Sequence, residues 1–196
     1  MKALNEQSLM LQEAVQCAPV LAGIKASNLL VLDQSMPPRN VCTLHDPELY
    51  CRHLYRLGSK RIWLIYRQTE IERILQDPAN RDFLRNFGYE DFAPDAVMLR
   101  LRRHCQAYAA GLQGFPHELG LFLDYPLGDV IGFLQNHGKN YLLSGYWKVY
   151  TDADKAQKTF ENYRRVKKQA EYYAREGRAF REIVDVFRTR RSACIA

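Results

Sequence analysis

Hydrophobic residues recur at two kinds of spacing along the chain, and the two spacings predict a mixture of helices and strands. Apolar positions three and four residues apart indicate amphipathic helices, whereas short runs of β-branched and aromatic residues indicate strands. The strand pattern occurs at about 27–32, 61–67 and 141–150. The helix pattern occurs at about 5–16, 17–23, 47–57, 69–76, 78–87, 94–110, 116–124, 127–137, from Thr151 to Gly177, and at about 179–189.

These elements predict an α+β protein. We expect a small mixed sheet of a few strands covered by about six to eight helices, with a long helix near the C-terminus. The length suits one domain with an appended segment. The predicted boundaries are a single globular α+β domain over 1–152 and a basic helical segment over 153–196 that packs on it.

Proline residues place two of the predicted helix starts. Pro19 disfavours the interior of a helix, so a short new helix is expected to begin near Cys17 with Pro19 in its first turn. Asp46, Pro47 and Glu48 supply a capping side chain, a first-turn proline and an acid near the positive helix end. They predict a helix that ends at about Leu57.

Positive charge is concentrated near the C-terminus of this 196-residue chain. The formal net charge is +6, but residues 155–191 alone hold 12 basic and 5 acidic residues, and the remainder has a net charge of −1. One hypothesis is therefore a non-catalytic interaction module whose basic C-terminal helix contacts an acidic partner or RNA. The candidate polyanion contacts are Arg164, Arg165, Lys167 and Lys168.

The rest of the composition indicates a cytoplasmic protein. No apolar run reaches 18 residues, and the N-terminal stretch lacks the uninterrupted apolar core of a signal peptide. Five cysteines at scattered spacings fit reduced thiols better than a disulfide framework. We therefore expect no membrane association.

One long motif organises the second half of the chain. FPHELGLFLDYPLGDVIGFLQNHGKNYLLSGYWKVYTD spans 115–152, and CAPVLAGIKASNLL, GSKRIWLIYR and AREGRAF lie elsewhere in the chain. Together these stretches make the chain similar to the bacterial domain-of-unknown-function family 3793. This chain carries Leu143 and Ser144 before Gly145. The resemblance implies cysteine at this point in many relatives, so this chain departs from the family's pattern there. The resemblance implies no activity and no cofactor.

A Cys–His pair is the sharpest catalytic hypothesis. At a helix start, Cys17 would have its thiolate stabilised by free backbone N–H groups. His117 could act as the base, with Glu118 as the acid that orients it, and Asp129 or Asn140 are alternatives. The competing interpretation makes Cys17 a small buried hydrophobe and His117 a hydrogen-bonding residue at a helix start.

The aromatic stretch after residue 140 suggests a pocket for a small molecule or peptide. If 141–150 is one strand, Tyr146 and Lys148 share a face opposite Trp147. The predicted ligand-binding residues are Asn140, Tyr141, Tyr146 and Lys148. No Walker or dinucleotide-binding glycine motif occurs in the chain, so the sequence indicates no particular cofactor.

A zinc site is not favoured by the spacing of cysteine and histidine. Cys42 and His45 precede Cys51 and His53, but on a helix starting at Asp46 the last two side chains would point about 200° apart. Clean paired spacings are more typical of structural zinc sites.

Sequence-specific DNA binding is not expected either. The two helices predicted over 116–137 could form a helix-turn-helix, but the second offers Gly128, Asp129 and Val130 where base contacts need basic or amide side chains. A packed helical hairpin is the simpler interpretation.

Overall fold

The α+β class is confirmed by the computed structural model, which describes residues 2–36, 38–42 and 48–195. Within these residues the helices are α1 Lys2–Leu21, α2 Arg39–Cys42, α3 Gln68–Gln76, α4 Pro78–Arg85, α5 Pro94–Ala109, α6 Leu119–Phe122, α7 Leu127–Gln135, α8 Ala153–Arg175 and α9 Phe180–Ile195. The strands are β1 Ser27–Asp33, β2 Leu49–Leu57, β3 Lys60–Arg67, β4 Leu143–Ser144 and β5 Lys148–Val149.

The chain forms two compact units. The sheet unit comprises residues 1–67 and 163–196, and the helical unit comprises residues 68–162. By sequence the sheet unit holds 18 basic and 9 acidic residues and the helical unit holds 10 and 13, so their net charges are +9 and −3. The predicted boundary between 152 and 153 stays a prediction.

The sheet unit contains a three-stranded antiparallel sheet with the order β1-β3-β2. Strands β1 and β3 confirm the strands predicted at 27–32 and 61–67. The helix predicted over 47–57 is wrong for residues 49–57, which form β2; Asp46 and Pro47 lie outside the described residues. LYCRHLYRL is rich in large residues that suit a strand, and pairing with β3 outweighs the nearby capping signal.

Helix α1 is continuous through Pro19, so the helix start predicted near Cys17 is wrong. Proline removes one backbone donor, but Pro19 lies in the last turn of the helix. The backbone hydrogen bonds continue past it, from Ala22 N to Ala18 O (2.9 Å) and from Ile24 N to Pro19 O (3.0 Å). Cys17 therefore lies near the C-terminal end of the helix. It packs in the core with buried residues of β1 such as Leu30.

The helical unit follows the predicted order of helices with two corrections. Asp77 caps α4 by accepting a hydrogen bond from Ala79 N at 2.9 Å, and Pro78 lies in the first turn. Of the helix predicted over 116–124, only α6, Leu119–Phe122, is an α-helix. The single strand predicted over 141–150 is wrong, because the chain reverses between β4 and β5, with Gly145 N donating to Trp147 O at 3.0 Å.

Gly145 is required at this reversal by close packing. A Cβ at Gly145 would lie 2.2 Å from the ring of Phe160, which comes from α8. The small hairpin and the start of α8 share a hydrophobic cluster built on Val149, Ala156 and Phe160. The aromatic residues of this hairpin, Tyr146 and Trp147, therefore pack against that cluster.

The long C-terminal helix is confirmed as α8, and Gly177, at φ +77°, separates it from α9. Helix α9 continues to Ile195, beyond the end predicted at about residue 189. Among the described helices, none is long and apolar enough to cross a membrane.

Candidate functional site

A cleft lies on the sheet unit beside the β2–β3 hairpin. Its lining residues are His53, Arg56, Arg61 and Trp63. In the antiparallel pairing His53 is opposite Trp63 and Arg56 is opposite Arg61. The pairing shifts by one residue between His53 and Tyr55, and this β-bulge brings Arg56 to the same face as His53.

The side chains that line the cleft carry several hydrogen-bond donors. Like charges directly opposite each other on neighbouring strands destabilise a sheet, yet Arg56 and Arg61 occupy such positions. Neither guanidinium forms an ion pair with any residue that the structure describes. The Nε1–H of Trp63 is buried and has no acceptor within the same described ranges. A buried donor without an acceptor costs free energy and calls for an explanation.

The two aromatic side chains that line the cleft, His53 and Trp63, pack against each other. The rings of His53 and Trp63 meet edge to face with centroids 4.9 Å apart. Trp63 also packs against the hydrophobic core beneath the sheet. The cleft is open to solvent and has a volume of about 470 Å³.

The sequence does not single out this cleft. The pairs His53/Trp63 and Arg56/Arg61 are visible only when β2 is assigned as a strand, and the predicted helix at 47–57 hides them. The available signal is the alternation of large and basic residues in both strands, which places Arg61 and Trp63 on one face.

Cys17 lies in an environment unsuited to a nucleophile. Its side chain is fully buried, and burial raises the pKa of its thiol. His117 lies just before α6, in ring contact with Phe115 and Phe133 at 5.4 and 5.3 Å, and burial lowers its pKa. Because Cys17 and His117 belong to different compact units, their pairing stays a prediction.

Glu118 is paired with a histidine that the sequence does not indicate. Its carboxylate is fully buried, with Oε1 2.6 Å from Nδ1 of His104 and 3.4 Å from the hydroxyl of Tyr89, which donates to it. His104 comes from the middle of α5 and is about one-fifth exposed. The buried carboxylate therefore fixes the imidazole orientation. Cys105, the adjacent thiol, is fully buried and its pKa is raised by burial to about 12.

Asp129 holds the long motif together. Its Oδ1 accepts hydrogen bonds from Tyr150 N (2.8 Å), Thr151 N (2.9 Å) and Thr151 Oγ1 (2.8 Å), and its Oδ2 accepts from Trp147 Nε1 (2.7 Å). Both oxygens are thus satisfied inside a buried network. Asp129 is a structural residue and is not placed to orient His117.

A comparison with protein-family models gives one match, described as "Protein of unknown function (DUF3793)", over residues 14–184. This chain belongs to the DUF3793 family. The match covers most of both compact units of the DUF3793 chain, in agreement with the resemblance carried by its motifs. Searches of curated proteins and of solved structures give no match.

The four ligand-binding residues predicted in this DUF3793 chain have different surroundings. Lys148 Nζ donates to Gly138 O at 2.6 Å and lies 5.0 Å from the ring of Tyr141. Tyr146 instead packs against Phe160 at a centroid distance of 5.5 Å. Asn140 is exposed, with only a 3.5 Å bond to Asn136. Ligand binding by these residues stays a prediction.

The candidate polyanion contacts lie on α8 of the sheet unit. Arg164, Arg165 and Lys168 are exposed. Lys167 is half-buried, and burial lowers the pKa of its amine. This side of the helix is therefore mostly solvated, and its role in binding stays a prediction.

The prediction that Cys51 and His53 point in nearly opposite directions is wrong. Because β2 is a strand, Cys51 and His53 point to the same face instead of opposite sides. His45 lies outside the described residues. Within the residues that are described, no group of three or more His, Cys, Asp or Glu side chains is arranged to hold a metal ion.

Proposed function

We propose that this DUF3793 protein is a binding protein whose cleft, lined by His53, Arg56, Arg61 and Trp63, takes a small molecule that bears a phosphate group. The observation that carries the proposal is the cross-strand pair of arginines without ion-pair partners among the described residues. Such a pair lowers the free energy of unfolding of the free protein. Binding of an anion between the two guanidinium groups raises it again.

Phosphate suits this cleft better than a lone carboxylate. Residues directly opposite on antiparallel strands have Cα atoms about 4.5–5.5 Å apart, so two guanidinium groups can converge on one multi-oxygen anion. Arginine presents parallel N–H donors that match phosphate oxygens in pairs.

The aromatic pair extends the preference to a ligand with a flat ring. Trp63 and His53 lie at the same end of the sheet as the two arginines and offer an apolar surface beside the charges. Aromatic rings bind nucleobases by stacking, with little dependence on the base. A nucleoside diphosphate therefore combines the two groups that the cleft recognises.

Binding is supported better than Cys–His catalysis. A buried Cys17 with a raised pKa has little thiolate at neutral pH, and a thiol attacks as its thiolate. The alternative function, contact with RNA or an acidic partner through α8, rests on exposed basic residues alone. The two binding hypotheses differ in the residue whose substitution should weaken binding: Arg61 for the cleft and Arg164 for α8.

Isothermal titration calorimetry with inorganic pyrophosphate and adenosine diphosphate tests the proposal. Wild-type protein should bind both, and adenosine diphosphate more tightly because it adds a ring to stack. Arg61→Gln should weaken binding about 10- to 100-fold, since it removes charged hydrogen bonds worth about 1.5–3 kcal/mol. Arg164→Gln, which removes the same charge from α8, should change the affinity less than about twofold at 0.15 M salt.

Two results would overturn the proposal. One is an absence of binding heat for both ligands at millimolar concentration. The other is an equal loss of affinity in Arg61→Gln and Arg164→Gln, which would assign the binding to the general positive charge of the unit. A loss in Arg164→Gln alone would favour the α8 hypothesis.

A further inference from the structure

A second group of polar side chains lies in the helical unit, around the fully buried carboxylate of Glu118. Its Oε1 is 2.6 Å from Nδ1 of His104 and accepts a hydrogen bond from the hydroxyl of Tyr89 at 3.4 Å. The ring of Tyr89, itself fully buried, meets the imidazole edge to face at a centroid distance of 5.6 Å. The imidazole is therefore held both by its bond to the carboxylate and by packing on a buried ring.

The two nitrogens of the His104 ring have different surroundings. An ionised carboxylate only accepts hydrogen bonds, so Nδ1 is the nitrogen that donates to Glu118. Nε2 has no bonding partner among the described residues and is not one of their side-chain nitrogens that are closed to solvent. In the neutral ring Nε2 therefore presents its lone pair to solvent. A carboxylate on the far nitrogen fixes the tautomer and stabilises the positive charge that forms when Nε2 reacts.

Arg100 lies one turn before His104 on α5, on the same side of the helix. Its guanidinium carbon is 5.8 Å from the centroid of the Tyr89 ring, so both residues contact one aromatic side chain. Gly88 makes room for the guanidinium, because a Cβ at this position would collide with it. Arg100 forms no ion pair with any residue that the structure describes, and its buried Nε has no acceptor among them.

A cation beside a nucleophilic nitrogen suits phosphoryl transfer. Histidine forms covalent intermediates in enzymes, and arginine stabilises the charge on the oxygens of a phosphoryl group while it is transferred. The N–H groups of a guanidinium match phosphate oxygens in pairs. An acyl group offers only one carbonyl oxygen, so it gains less from this arrangement.

We propose that His104 accepts a phosphoryl group at Nε2 from small phosphoryl donors such as acyl phosphates and phosphoramidate, with Arg100 binding the phosphoryl oxygens and Glu118 as a positioning residue. All three residues belong to the helical unit, so this site is independent of the phosphate cleft of the sheet unit. The cleft binds its ligand without covalent change, whereas His104 is modified.

The reaction balances as one displacement at phosphorus. The Nε2 lone pair of the neutral imidazole attacks phosphorus, and the bond from phosphorus to the leaving group breaks. That electron pair stays with the leaving group, which is ammonia from N-protonated phosphoramidate or a carboxylate from an acyl phosphate. The ring keeps its Nδ1 proton on the bond to Glu118 and carries the positive charge. The product is His104 phosphorylated at Nε2.

The test is incubation of the full chain with potassium phosphoramidate at pH 8, followed by peptide mass spectrometry and ³¹P NMR spectroscopy. Wild-type protein should acquire a phosphoryl group on Nε2 of His104, and His104→Asn should lose it. His137 is the internal reference, because it is exposed and has no carboxylate partner among the described residues. It should react about tenfold or more slowly than His104. Absence of a phosphoryl group from His104, or an equal rate at His137, would overturn the proposal.

The role of Arg100 is tested by two substitutions on the same helix. Arg100→Gln should slow phosphorylation of His104 about tenfold or more, because it removes the paired donors from the phosphoryl oxygens. Arg102→Gln is the matched control: its side chain points about 200° away from Arg100, and loss of the same charge should change the rate less than about twofold. Arg61→Gln, in the cleft, should react as wild type. Equal slowing in the Arg100 and Arg102 variants would overturn the role of Arg100.

The role of Glu118 has a readout besides the rate. ¹H–¹⁵N NMR spectroscopy of the neutral His104 ring should place its proton on Nδ1 in the wild type, and a proton on Nε2 would contradict the site. In Glu118→Gln the neutral amide cannot stabilise the charged ring, so the reaction should slow about tenfold or more and the share of the Nε2–H tautomer should rise. An unchanged rate and tautomer in a folded Glu118→Gln protein would overturn the positioning role.

Discussion

The two tryptophan side chains differ in how their indole N–H groups are bonded. Trp147, in the helical unit, donates to Asp129 at 2.7 Å as part of a network that satisfies both carboxylate oxygens. Trp63, in the sheet unit, lines a cleft with two arginines, and its buried N–H has no acceptor among the described residues. A satisfied buried network stabilises a fold, whereas a buried donor without an acceptor costs free energy and calls for an explanation.

The same contrast extends to the charge of the two units. The helical unit has a net charge of −3 and uses a buried acid, Asp129, to hold its motif together. The sheet unit has a net charge of +9. The long aromatic motif therefore describes the architecture of one unit, and the proposed binding function belongs to the other.

The largest effect should come from Asp129→Asn. The amide keeps the shape of the side chain but removes the charge and turns one acceptor into a donor, so that either the indole N–H of Trp147 or the donors of Tyr150 and Thr151 lose their acceptor. We expect a loss of about 2–4 kcal/mol in the free energy of unfolding, measured by urea denaturation.

Asp152→Asn is the matched control for that measurement. Asp152 is exposed and accepts a hydrogen bond from Lys155 N at 2.9 Å, and asparagine caps a helix about as well as aspartate. Its free energy of unfolding should change by less than about 0.5 kcal/mol. Equal losses in the two variants would contradict the structural role given to Asp129.

Much of the fold could be predicted from local signals, because these signals act within a few residues. Asp77-Pro78 marks a helix start, Gly177 marks a helix end, and the run at 61–67 marks a strand. The errors occur where distant partners decide. Strand β2 follows a capping signal but pairs with β3, and Pro19 is tolerated because only the last helical turn loses a bond.

The candidate site was harder to predict, because its residues become neighbours through pairing and not through spacing. Arg56 faces Arg61 only after a bulge shifts the register, and Glu118 meets His104 only when α5 packs beside it. Glu118 could be named from the motif as a polar residue near a helix start. Its partner carries no separate signal in the sequence.

A smaller effect should separate binding from folding in the sheet unit. Arg61→Gln relieves the repulsion between Arg56 and Arg61, so in low-salt buffer without phosphate it should raise the free energy of unfolding by about 0.5 kcal/mol. When pyrophosphate is added, the wild type should become more stable than Arg61→Gln, because only a protein that binds the ligand gains stability from it. Thermal and urea denaturation with and without pyrophosphate measure both changes.

Lys60→Gln is the control on the same strand. Lys60 has an ion-pair partner, Asp33, at 3.6 Å, so its removal should leave stability unchanged or slightly lower and should preserve the response to pyrophosphate. A destabilised Arg61→Gln that still gains stability from pyrophosphate would show that Arg56 and Arg61 act as structural residues.

The most direct test uses the two indole N–H resonances of ¹⁵N-labelled protein, with Trp63 assigned by Trp63→Phe. On titration with pyrophosphate, the Trp63 resonance should move with a saturable dependence on concentration, because Trp63 lines the cleft. The Trp147 resonance should stay in place, because its N–H is bonded to Asp129. A Trp63 resonance that does not move, or equal movement of both resonances, would contradict the assignment of binding to the sheet unit.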